Sequence, residues 1–189
     1  MSDRRSGPVR SEAARRAILN ATATLFAQRG YDHLTMEGVA AEAGVGKQTI
    51  YRWWRSKGEL VAECLIEGLL LPNSFDLPDT GDLRRDLETW TAEVLRVARD
   101  PDGELLMRSL IAAAAQNADI AVRLRDSLGG GASVEGRLRA GAAAGQLRED
   151  APFDVLAEAL IGAIVVGALA RIPSDPARLV GTLLDENTG

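Results

Sequence analysis

Apolar residues recur along this chain at helical spacing, and no segment sustains the two-residue alternation of a half-buried strand. In residues 11–29, Ala14, Ile18, Ala21, Leu25 and Phe26 form one stripe, with Ser11 as the expected N-cap and Gly30 as the stop. A shorter helix follows over 35–43, with Thr35 as N-cap and Met36, Val39, Ala40 and Ala43 in its stripe. Gly44 supplies the left-handed turn, and residues 47–54 resume as a third helix. On a helical wheel Ile50, Trp53 and Trp54 fall on one side of it. Lys47, Gln48, Tyr51, Arg52 and Arg55 fall on the other. Ser56-Lys57-Gly58-Glu59 reads as a capping box that starts a fourth helix, continuing through 60–71.

Beyond residue 72 the pattern stays helical. A proline-containing loop spans 72–81, and 82–99 carries the stripe Leu83, Leu87, Trp90, Val94, Val97. Asp100-Pro101-Asp102-Gly103 reads as a turn, followed by helices over 104–116 and 118–128. Gly129–Gly131 is a break or a kink before 133–144. Residues 154–171 are apolar nearly all round, so that helix must be buried, either within the chain or against a second one. Asp175-Pro176 opens a last helix. The expectation is an all-α fold of about nine helices.

Two short helices joined by a glycine turn, the second with a polar face of donors and no acid, make a helix-turn-helix suited to a polyanion. Composition at first argues the other way, because the 189 residues carry a net charge of −5. That total is uneven: residues 1–60 hold ten Lys/Arg against six Asp/Glu, while 61–189 hold twelve against twenty-one. A basic module joined to an acidic body fits the split. One His and one Cys exclude a disulfide framework and a Cys/His zinc site, and leave no paired acid–base set. No dinucleotide or P-loop fingerprint occurs, so neither cofactor nor metal is expected, and an enzyme is disfavoured. The longest uncharged apolar run, 159–170, is short of a bilayer span and nothing resembles a signal peptide, so a cytoplasmic protein is expected. Cys64 reads as a small core residue and His33 as a loop residue.

The block LTMEGVAAEAGVGKQTIYRWWRSKGEL (34–60), led by ATLFAQRGYDHLT, resembles the DNA-binding signature of the tetracycline-repressor (TetR) family. LPDTGDLRRDL (77–87) and GQLRED (145–150) resemble one subgroup of that family's effector domains. The resemblance implies a DNA-binding domain over 1–60 and an effector-binding and dimerisation domain over 61–189. It places Lys47, Gln48 and Arg52 at base edges, and Thr35, Thr49, Tyr51 and Lys57 among the other DNA contacts, mainly to phosphate. Arg4, Arg5 and Arg10 would form an arm tracking phosphates or the minor groove. Trp53 stands where many relatives carry His, and it fits either packing or a place along the DNA backbone. An effector pocket would be walled by Leu65, Leu69, Trp90, Leu106, Met107 and Leu110, residues that core packing explains equally well. Leu156, Leu160, Ile164, Val165, Leu169, Leu179, Val180 and Leu183 would form a homodimer interface. The implied function is a ligand-responsive regulator, most often a repressor, on a palindromic operator of double-stranded DNA, with an unknown small-molecule effector. The alternative is action through a protein partner or as an architectural DNA binder.

Overall fold

The computed structural model describes residues 8–71, 77–128, 132–170 and 175–188, with the side chains of 8–11 and 132 excepted. Within them stand ten α-helices and no strand, against the nine or so expected. These are α1 (Pro8–Arg29), α2 (Met36–Glu42), α3 (Lys47–Tyr51), α4 (Lys57–Ile66), α5 (Leu83–Arg99), α6 (Pro101–Gln116), α7 (Ala118–Ser127), α8 (Ala132–Ala143), α9 (Phe153–Ala170) and α10 (Pro176–Asp185). The expected arm residues Arg4 and Arg5, the side chain of Arg10 and the Gly129–Gly131 break lie outside the described residues.

Several boundaries differ from the sequence reading, each for a local reason. Helix α1 begins at Pro8, not after Ser11, and proline suits a first helical position because its missing N–H has no partner there anyway. Helix α4 stops at Ile66 instead of running to Leu71. Gly68 takes φ +66°, and Leu69 N–H turns back to the carbonyl of Cys64, closing the helix end. Asp100-Pro101-Asp102-Gly103 is not a free turn but the opening of α6. The Asp100 carboxylate caps the N–H groups of Asp102 and Gly103, and Pro101 stands in the first turn. Gly103 is needed there because a Cβ would collide with the carbonyl oxygen of Val97 at the end of α5.

Two groups of helices share one continuous apolar core. Helices α1 to α4 form a head, in which α1 packs on α2 and α4. Helices α5 to α10 form the body, with α9 against α5, α6, α8 and α10. Head meets body chiefly where α4 lies on α7, with α1 on α6 beside it. Arg15 on α1 ties the head together by bonding Glu63 on α4 at 2.5 Å and Glu67, the residue after it ends, at 2.6 Å. Cys64 is fully buried with its thiol against the Leu19 carbonyl, and burial pushes that thiol up to about 12, so it is an inert core group.

The two body motifs meet each other. Gln146 accepts from the N–H of Leu83 at 2.7 Å and donates to the carbonyl of Gly81 at 3.0 Å, so it clamps the start of α5. Asp86, one turn into α5, accepts from both the N–H and the hydroxyl of Thr80. Arg137 on α8 completes the set with a 2.6 Å bond to the same carboxylate. Burial works to raise the Asp86 carboxyl, but the bonds from Thr80 and Arg137 outweigh it and hold it below the usual aspartate range.

Helix α9, 18 residues with a mean hydropathy of 2.1, is long and apolar enough to cross a membrane by length and composition. It exceeds the 12-residue run noted above because the helix extends back through Asp154 and Glu158 to Phe153. Phe153, Leu156, Ala157, Leu160, Ile164, Gly167 and Ala168 are buried in the chain's own core, the pattern of a packed helix.

Candidate nucleic-acid interface

The head presents one polar helix face, and its geometry follows from local sequence. Thr35 takes extended backbone and its hydroxyl oxygen accepts the N–H of Gly38 at 3.1 Å, which starts α2. Gly44, at φ +64°, ends it, and Val45 N–H bonds back to the Ala40 carbonyl. Gly46 then leads into α3. Beneath α3 lies Ile50, fully buried, with Val39 and Met36 of α2 also in the core. That anchor forces the opposite face outward: Lys47, Gln48, Tyr51 and Arg52 are exposed, and Thr49 is half-buried.

Helix α3 itself ends at Tyr51, shorter than the 47–54 expected. Arg52 caps it, and Trp53 and Trp54 form a further turn with both N–H groups on the Ile50 carbonyl. The two tryptophans part company there. Trp54 is 5% exposed and belongs to the core, whereas Trp53 is 39% exposed, so the wheel placed it on the wrong side. Its ring lies under the Arg52 guanidinium, 5.7 Å away.

Charges around the face are partly engaged. Lys47 on α3 pairs with Glu37 on α2, and its amine also lies 5.7 Å from the Tyr51 ring. The hydrogen bond with Glu37 raises the Lys47 pKa and lowers that of Glu37. An acid thus stands beside a face that carries none on α3 itself. Sequence reasoning missed it, although the ten-residue separation across a helix-turn-helix is a signal that could have found it.

Lys57 is the second engaged cation. Its amine donates to the Tyr31 carbonyl at 2.7 Å and sits 4.3 Å from the Tyr31 ring. Tyr31 is itself 8% exposed; burial raises its phenol pKa against a smaller lowering by a bond with Asn117. The expected capping box is present in altered form: Ser56 accepts from Glu59 N–H, while the Glu59 carboxylate accepts from Arg55 N–H. Gly58 faces the Asn117 side chain so closely that a Cβ could not be accommodated without displacing it. His33 is exposed in the loop before α2.

In the body, the residues expected around an effector pocket separate. Leu65, Trp90, Met107 and Leu110 are packed core side chains with 2% exposure or less. Leu106 is half-buried against that core, and Leu69 is exposed. A cleft of about 340 Å³ between the head and α7, and another of about 400 Å³ between α7, α8 and α9, are lined by other side chains.

The expected dimer residues separate too. Leu156, Leu160, Ile164 and Val180 are 8% exposed or less and fill the chain's own core. Val165, Leu179 and Leu183 are half-buried, and Leu169 is 40% exposed. Sequence reasoning missed the face that does lie open: Val155, Ala159, Gly162 and Val166, aligned with Leu169 along α9. Nothing in a uniformly apolar helix marks which side the rest of the chain covers.

Comparison with known proteins agrees with this architecture. Residues 18–64 match the family described as bacterial regulatory proteins, tetR family. Residues 77–186 match the tetracyclin repressor-like C-terminal domain. The HTH-type transcriptional repressor Rv1474c of Mycobacterium tuberculosis is 30% identical, over 93% of this chain and 92% of its own length. YdeS, an HTH-type transcriptional regulator of Bacillus subtilis, is 28% identical over 87% of this chain and 82% of its own. Among solved structures, the TetR family transcription regulator SCO0332 superposes with a TM-score of 0.69 at 33% identity, covering 93% of this chain and 99% of the other. Bacillus subtilis FadR, solved in complex with stearoyl-CoA, shares the fold at 18% identity, with a TM-score of 0.62 over 90% and 95% of the two chains. The helix-turn-helix head, the helical body and these matches over both identify the chain as a member of the TetR family of DNA-binding transcriptional regulators.

Proposed function

We propose that this regulator is a ligand-responsive repressor that binds a palindromic operator as a homodimer in the cytoplasm. Residues 1–60 would serve as the DNA-binding domain and 61–189 as the effector-binding and dimerisation domain. The observation that carries the reading is the α3 face, four exposed polar side chains held outward by a buried Ile50. Gln48 suits adenine, and Arg52 or Lys47 suits guanine, in the major groove. Tyr51, Thr49 and Thr35 hold phosphates on either side; the Thr35 hydroxyl still has a proton to donate. For Lys57, engaged by Tyr31, a phosphate contact uses the amine's remaining donors.

One reading helix covers only a few base pairs, so a two-fold partner is needed for a specific site. The open face of α9 supplies its seat: Val155 and Val166 are each 55% exposed in a row with Gly162 and Leu169. An exposed stripe of that kind is a partner surface more than a water surface. An effector that prefers a different separation of the two heads would then lower operator affinity by shifting the population. A coupling of about 1–3 kcal/mol gives roughly 5–150-fold. That the same fold in FadR holds stearoyl-CoA supports the body as a ligand-binding unit.

The dimer is tested by sedimentation equilibrium on the wild type and Val166→Asp. A wild-type dimer and a variant monomer that keeps its helical spectrum but loses operator affinity are expected. A monomeric wild type that still binds DNA tightly would overturn the homodimer.

A further inference from the structure

The α4–α7 junction holds a cleft of about 340 Å³ whose chemistry differs from the apolar core behind it. Three of the large exposed apolar side chains converge there: Trp53 at 39%, Ile66 at 49% and Val122 at 46%. Isolated exposed apolar residues need no explanation, but three lining one concavity of ligand size do. Between them stand the carboxylates of Glu59, Glu63 and Asp119, against the single guanidinium of Arg123. Some of this charge is offset, since Glu63 also bonds Arg15 and Arg123 lies 3.9 Å from Asp126. With the Arg52 guanidinium over Trp53 also counted, Glu59 and Asp119 still leave a net negative charge beside the aromatic wall.

We propose that this cleft is a binding site for a small organic cation with an apolar body. The apolar part would lie against Ile66 and Val122, and the charge between the Trp53 ring and the carboxylates. A ring face attracts a cation through its quadrupole; the Arg52 guanidinium lies 5.7 Å from the Trp53 ring centroid, so the ligand's charge would take the opposite face of the ring. Carboxylates within the same cleft add attraction and exclude anions of equal size. Trp53, 39% exposed beside the buried Trp54, thereby acquires a role. One wall of the cleft belongs to the head and the other to α7 of the body, so an occupant bridges the two. The site is separate from the side chains expected to wall an effector pocket, and the proposal does not depend on how the chain reads DNA.

Tetraphenylphosphonium and tetraphenylborate, alike in shape and opposite in charge, are the test probes, titrated by calorimetry into the full chain without DNA. One phosphonium per chain is expected, with the borate at least about tenfold weaker. Val122→Lys places a cation on the α7 wall at an exposed position and should abolish phosphonium binding while the helical spectrum stays unchanged. Asp119→Asn should weaken it severalfold. No phosphonium binding, equal binding of both probes, or binding unaffected by Val122→Lys would each overturn the proposal. Should Val122→Lys fail to fold, Trp53→Ala and Asp119→Asn decide the matter by the same readout, loss supporting the site and no change overturning it.

Discussion

The Lys47–Glu37 pair lies on the surface of the head with 54% and 60% of the two side chains exposed, whereas Arg137 and Asp86 meet inside the body at 7% and 1%. Both join neighbouring helices, with Arg137 also reaching the exposed Asp79 at 3.4 Å, yet they do different work. An exposed pair in water is held weakly and screened by salt, so Lys47 can leave Glu37 for DNA at little cost. A buried pair has already lost its water, and either member left alone is stranded as an unpaired charge. The Lys47–Glu37 pair is therefore exchangeable and the Arg137–Asp86 pair is locked. The overall −5 does not show this difference between the two pairs.

Breaking the locked pair should have the largest effect. Asp86→Ala leaves the buried Arg137 with only the exposed Asp79 carboxylate, 3.4 Å away, and releases Thr80 from α5. A loss of about 3–5 kcal/mol is expected, read as a fall in thermal midpoint of roughly 10 °C or more. The pH dependence has a definite sign. The folded Asp86 pKa is depressed, so its stabilisation is complete above the ordinary aspartate pKa, near 3.9, and is lost as pH falls through the lower folded value. Thermal scans between about pH 5 and pH 2 should show a steeper acid loss in the wild type than in Asp86→Ala.

Next in size is the anchor under the reading face. Ile50→Ala removes a fully buried side chain and should cost about 2–5 kcal/mol by equilibrium denaturation. DNA affinity should fall further than at any single exposed position of α3, because the whole face loses its support. Retained full affinity would mean that α3 is held by something other than Ile50.

The smallest effect belongs to the exchangeable pair. Glu37→Gln frees Lys47 and removes an acid beside the polar face, so low-salt affinity for arbitrary duplex DNA should rise a few-fold and midpoint temperature should not move. A clear loss of stability would show that the pair is structural after all.

The head was largely legible in the sequence, because its helices are short, capped and amphipathic. The stripe Met36, Val39, Ala40 was placed correctly, and those three residues are buried. So was Ile50, with Lys47, Gln48, Tyr51 and Arg52 exposed around it. Trp53 was misplaced because α3 tightens after Tyr51 and no longer follows the wheel. In the body, α9 shows where periodicity stops informing. Its apolar residues occur all round, so Leu156 and Leu160, turned inward, look no different from Val155 and Val166, turned outward. Long-range pairings were equally invisible. That Gln146 clamps Leu83 and that Lys57 seats on Tyr31 depend on how distant segments meet. Asp100-Pro101-Asp102-Gly103 failed for a third reason: the residues that favour a turn also favour a helix start, and here Asp100 caps α6 with Pro101 in its first turn.

The central claim is that the exposed face of α3 reads base sequence, one copy per half-site. Selection of bound sequences from random duplex DNA, run in parallel on the wild type and Gln48→Ala, tests it most directly. The wild type should enrich a palindrome whose half-sites lie about one helical turn, or a multiple of it, apart. Gln48→Ala should change the preferred base at one position within each half while leaving the spacing intact. Enrichment of no motif, or an identical motif from both proteins, would contradict the assignment.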